Sequence, residues 1–66
     1  MRVYLWYFGE DKPRAIREDG PGKFLRTTRK LDTGTEFAPG MAEHFVEGLR
    51  WASKRNGGRF AVWRAE

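Results

Sequence analysis

The side chains able to do chemistry in this 66-residue chain are thirteen bases, nine acids, one histidine and ten aromatics, with no cysteine. Their spacing excludes most chemistries. His44 is the single histidine, and a zinc centre needs several His or Cys ligands held together. Ser53 has no base placed to activate it, so nucleophilic catalysis has no support. The glycines match neither a phosphate-cradling loop nor a dinucleotide fingerprint. No cofactor and no metal are expected, and the chain reads as a non-enzyme.

One short segment points elsewhere. Leu31-Asp32-Thr33-Gly34-Thr35 resembles the active-site signature of the aspartic proteases, an apolar residue followed by Asp-Thr-Gly-Ser/Thr. The resemblance implies a carboxylate at Asp32 that shares one proton with a second, from another lobe or a second copy. It covers five residues. The preceding Thr28-Arg29-Lys30 is polar where that family has a buried apolar strand, and no second apolar–Gly element follows. Asp-Thr-Gly is also an ordinary turn sequence.

The bases and aromatics carry more. Net charge is +4, and nine of the thirteen bases are arginine. Such a balance favours polyanionic or acidic partners, and a guanidinium suits bidentate phosphate contacts and stacking; codon bias alone would also enrich arginine. Charge is segregated. Lys23 to Lys30 and Arg50 to Arg64 hold bases without acids, whereas Leu31 to Leu49 holds acids without Lys or Arg. A helix dipole explains part of this, but not Arg26, Arg29 and Lys30, which fall on a strand.

The elements that must position these groups begin with six unbroken apolar positions, Val3 to Phe8. As a strand, this run puts Val3, Leu5 and Tyr7 on one face and Tyr4, Trp6 and Phe8 on the other. Gly9-Glu10-Asp11-Lys12-Pro13 closes it, and Pro13 bars continued pairing. Arg14 to Glu18 is a weak second strand. Asp19-Gly20-Pro21-Gly22 is a turn, and Lys23 to Leu31 a third strand, completing a three-stranded meander. After the turn Asp32-Thr33-Gly34, Thr35-Glu36-Phe37 suits a short fourth strand.

Pro39-Gly40 opens one helix, Met41 to about Arg55, with Met41, Phe45, Leu49 and Ala52 at helical spacing and Ala42 and Val46 on the flank. Asn56-Gly57-Gly58 stops it, and Phe60 to Arg64 forms a last strand. The pattern predicts an α+β domain spanning residues 1–66, a small antiparallel sheet with one helix on one face. Val3, Leu5 and Tyr7 are expected beneath Phe45 and Leu49, although the aromatic face could serve as the core instead.

Aromatics on an uncovered sheet face can stack bases. Val3-Tyr4-Leu5 and Gly58-Arg59-Phe60-Ala61-Val62 faintly resemble the two aromatic strand motifs of RRM domains, without their second helix or strand order. A three-stranded sheet followed by a helix also looks like the AP2 and phage-integrase-arm DNA-binding domains, which lay a basic sheet in the major groove; the last strand is not part of that pattern. The expected partner is therefore DNA or RNA, with Tyr4, Trp6 and Trp63 stacking and Arg17, Arg26, Arg29, Lys30, Arg59 and Arg64 on phosphates.

The helix face away from its core pattern holds His44, Gly48, Trp51 and Arg55. Gly48 would let another backbone approach, and Trp and Arg are favoured interface anchors. The second reading is thus a protein-interaction module, an inhibitor or adaptor that meets an acidic protein surface or a second copy of itself as a homodimer. Packing of Trp51 on the chain termini or the last strand is the plainer alternative. The apolar run is too short for a membrane span, and Gly9-Glu10-Asp11 follows it where a signal peptide would stay apolar. A cytoplasmic setting without membrane attachment is expected.

Overall fold

The computed structural model describes residues 1–19 and 25–66. It is an α+β fold: a four-stranded antiparallel sheet with one long helix packed on one face. The strands are β1 (Arg2–Tyr7), β2 (Arg14–Glu18), β3 (Leu25–Thr28) and β4 (Phe60–Ala65), and the helix α1 spans Pro39–Arg55. The order across the sheet is β3-β2-β1-β4. The expected meander is present. Gly20-Pro21-Gly22, Lys23 and Phe24, expected as turn and strand start, lie outside the described residues.

Register decides which face is the core. Val3, Leu5 and Tyr7 lie opposite Arg64, Val62 and Phe60, and all look towards α1. Val3, Leu5, Ile16, Phe37, Ala42, Val46 and Val62 are buried together, with Phe45, Leu49 and Phe60 packed around them. Val3 and Leu5 meet the helix as expected. The helix itself is turned. Its buried residues are Ala42, Val46 and Ser53, while Met41 is 52% exposed. Relative to the stripe Met41–Phe45–Leu49–Ala52, the core direction is rotated by roughly 85° at 3.6 residues per turn. Ala42 is fully buried, and the larger Phe45 is partly buried beside it against Phe37, ring centroids 4.9 Å apart.

Pro39 stands at the start of α1, where its missing N–H costs nothing. At the other end Gly58 N donates to Ser53 O and Gly57 N to Lys54 O, with Gly57 at φ +83°. This is the paired-bond stop that Asn56-Gly57-Gly58 announced.

Thr35-Glu36-Phe37 forms no strand. β1 and β2 register only at Tyr4–Ala15 and Leu5–Arg14, and the segment fills the gap where they diverge. Thr35 N donates to Ile16 O, Thr35 Oγ1 accepts from Glu18 N, and Phe37 N donates to Met1 O. Backbone groups that pairing would have satisfied are met by this wedge instead. Just before it, Leu31–Thr33 makes one 3-10 turn. Its follower Gly34 lies over Ala15 so closely that a Cβ there would come within 2.7 Å of the Ala15 Cβ.

Candidate aromatic face and its surroundings

Alternation along β1 sends Arg2, Tyr4 and Trp6 to the side away from α1. The ladder adds Trp63 opposite Tyr4, Ala61 opposite Trp6 and Ala15 on the other flank of Tyr4. Tyr4 and Trp63 stack at 5.8 Å with planes 27° apart and are half-buried. Trp6 is 43% exposed and Phe8 60%, their rings 6.2 Å apart and inclined at 70°. Phe8 belongs with the exposed rings although the expected stacking set stopped at Trp6. Sequence alternation already placed it there.

Only part of this face is covered. The 3-10 turn and Gly34 sit over Ala15, and Arg2 is drawn onto them, donating from Nε to Gly34 O and from Nη2 to Asp32 O. Asp32 is exposed in that turn. The Asp-Thr-Gly segment therefore acts in packing, with its glycine required by the close approach to Ala15.

Trp6 is held in place. Its Nε1 donates to Glu10 O at 2.9 Å, and Glu10 N donates to Tyr7 O, which closes the turn at Gly9 (φ +104°). Glu10's carboxylate in turn accepts Arg14 Nη2 at 2.6 Å and Nε at 3.0 Å, with Arg29 Nη2 at 3.4 Å. The Arg14 hydrogen bond holds the Glu10 carboxyl below its usual range, partly opposed by desolvation and reinforced by the charges of Arg14 and Arg29. Arg14 also lies over the Tyr7 ring at 5.5 Å.

The structure gathers some of the expected bases and disperses others. Arg17 and Arg26 are cross-strand neighbours on the aromatic side and share one carboxylate, Asp19, at 3.4 and 2.6 Å. Arg59 lies opposite Phe8, whose N donates to Arg59 O, and makes none of the ion pairs seen among the described residues. Arg29 and Lys30 are exposed past the end of β3, Arg29 reaching Glu10. Arg64 faces Val3 across the ladder, on the helix side, where its Nε meets Glu43 at 2.6 Å. It is not part of the aromatic face.

On α1, His44, Gly48, Trp51 and Arg55 are all exposed. Trp51 does not pack on the last strand: it is 62% exposed, and its companion is the Arg55 guanidinium, 4.6 Å from the ring centroid. Ser53 has a structural task, donating to Phe60 O at 2.8 Å and accepting from Phe60 N at 3.2 Å. A cleft of about 150 Å³ between Leu49, Phe60, Ile16 and Leu25 falls below the roughly 300–1,000 Å³ of small-molecule sites. Among the described residues no group of acids and histidine is placed to hold a metal ion. Among them, too, no helix is long and apolar enough to cross a membrane.

No protein-family model matches the chain, and neither a curated protein nor a solved structure matches it.

Proposed function

We propose that the protein is a small non-catalytic module of the cytoplasm that binds nucleic acid on the sheet face away from α1. The observation that carries this is the adjacency of Trp6 and Phe8, two solvent-facing rings at the end of β1. Arg17 and Arg26 lie across the same face and Arg59 opposite Phe8, in a chain of net charge +4. Solvent-facing rings that find no cover are costly unless something stacks on them, and every base offers a π face. Arginine supplies the phosphate attraction that governs affinity and its dependence on salt.

The test is fluorescence anisotropy of labelled DNA and RNA strands titrated with the full chain at low and at moderate salt. Binding should weaken steeply as salt rises, and Trp6→Ala should weaken it about five- to 150-fold. No affinity for any strand at low salt would end this reading.

A second reading rests on Trp51. With Met41 it forms an exposed stripe on the outer face of α1, interrupted by Gly48. Trp and Arg side by side are favoured anchors for a protein partner or a second copy. Binding through this stripe would be lost in Trp51→Ala, survive in Trp6→Ala and change little with salt. Solution mass would then separate a homodimer from a foreign partner.

A further inference from the structure

The same face, taken as a nucleic-acid surface, also has a readable selectivity. We infer that it accepts single strands irrespective of sequence, one unstacked base at a time, in the corner between Trp6 and Phe8. The inference rests on the proposed function and makes it more specific.

Ring geometry gives the stoichiometry. Bases in a continuous stack are parallel, but the Trp6 and Phe8 planes are inclined at 70° with centroids 6.2 Å apart. Only one of the two rings can lie parallel to a given base, so the other closes the side of the site. The next rings along the face, Tyr4 and Trp63, are half-buried and already stacked on each other. The face is therefore a corner for one base and not a platform for several. A base in intact duplex, stacked on both sides and paired at its edge, cannot enter it.

Hydrogen bonding gives the indifference to sequence. Discriminating bases takes donors and acceptors aimed at their edges. The two rings that form the corner offer none that is free. Trp6 Nε1 donates to Glu10 O, and Phe8 has no polar side-chain atom. At the far end of the same face, Arg17 Nε and Arg26 Nη1 meet Asp19. Arg2, at that same end of β1, bonds Gly34 O, Asp32 O and Glu36. Arg59, opposite Phe8, adds positive charge for a backbone phosphate. Stacking and charge favour a strand without choosing among sequences.

The closing experiment sets the full chain against equal-length single strands, all-thymine, all-adenine and two mixed sequences, and against a duplex of one mixed sequence, at one low salt concentration. The single strands should agree within about tenfold, the duplex should bind at least tenfold more weakly, and Trp6→Ala should lower every single-strand affinity by a similar factor. Phe8→Ser, a change at a more exposed ring, is the second variant should Trp6→Ala not fold, with the same expectation. A hundredfold preference for one sequence, or a duplex bound as tightly as its single strand, overturns the inference and leaves nucleic-acid binding intact. No binding to any strand overturns both.

Discussion

Replacing Ser53 by alanine tests the physical account of the fold at a single oxygen. Ser53 is 4% exposed on α1, yet its hydroxyl serves β4, donating to Phe60 O at 2.8 Å and accepting from Phe60 N at 3.2 Å. In the β1–β4 ladder Phe8 N donates to Arg59 O, so by strand alternation Phe60 turns its own N–H and C=O to the outer edge. The serine caps that edge. Two net hydrogen bonds at about 1 kcal/mol each give about 2 kcal/mol, rising towards 3 if the Phe60 N–H is left dry. The lost volume is one oxygen, so a cavity adds little. With a urea slope of about 1 kcal/mol/M for so small a chain, the unfolding midpoint should fall by about 2 M. Far-UV circular dichroism against urea measures it. A shift below about 0.5 M would refute the reasoning, since it would mean that water or neighbouring groups satisfy Phe60 equally well. The uncapped edge should also self-associate more as concentration rises, the usual hazard of an unpaired strand.

Gly34→Ala should cost about 1–3 kcal/mol in the same urea assay, because the added methyl meets the Ala15 side chain at 2.7 Å and neither backbone can easily yield; an unchanged midpoint would show that the turn lifts off freely. Glu10 gives a pH signature. Its folded carboxyl holds a proton less readily than the unfolded one, so the unfolded state takes up more protons near pH 4 and stability is lost as pH falls through and below that range. Glu10→Gln should flatten this part of the urea-midpoint profile, and an unaltered profile would clear Glu10 of the role. Asp19→Asn frees both Arg17 and Arg26, so it should tighten nucleic-acid binding severalfold and steepen its salt dependence by about one unit. Equal or weaker binding would remove those arginines from the site. Trp51→Ala should leave stability within about 1 kcal/mol, since an exposed ring loses only its Arg55 contact; thermal melts check it.

The parts of the fold legible in the sequence are those set by local chemistry. Pro39 and Asn56-Gly57-Gly58 bracket the helix because starts and stops are written within a few residues. Alternation from Val3 to Phe8 divided these residues between two faces correctly, since period two allows only two sets. It left open which set is the core; the β4 register and the helix decide that. What was not legible depends on distant partners. Thr35-Glu36-Phe37 resembles a strand but bonds to Ile16, Glu18 and Met1 as a wedge, which no local pattern encodes. The rotation of α1 onto Ala42, Val46 and Ser53 depends on its packing against the sheet, which apolar spacing alone does not encode. At the candidate site, Arg64 was misplaced beside the aromatics for a related reason. Strand parity assigns it to Val3's side once the β1–β4 register is known, and that register is fixed by residues nearly the whole chain apart.

That separation has a kinetic consequence. β1 is the inner strand that receives β4, so Tyr4 waits for Trp63, and Val3 and Leu5 stay bare until α1 and β4 arrive. The meander of β1, β2 and β3 closes through short loops, whereas the last pairing must close almost the entire chain and bears its entropy. Until β4 pairs, the apolar strand β1 is unprotected on one edge, and the sheet completes only with that pairing. The Tyr4–Trp63 stack thus reports the closing step of folding. Its near-ultraviolet signal should appear with the slowest refolding phase and disappear with the first to unfold.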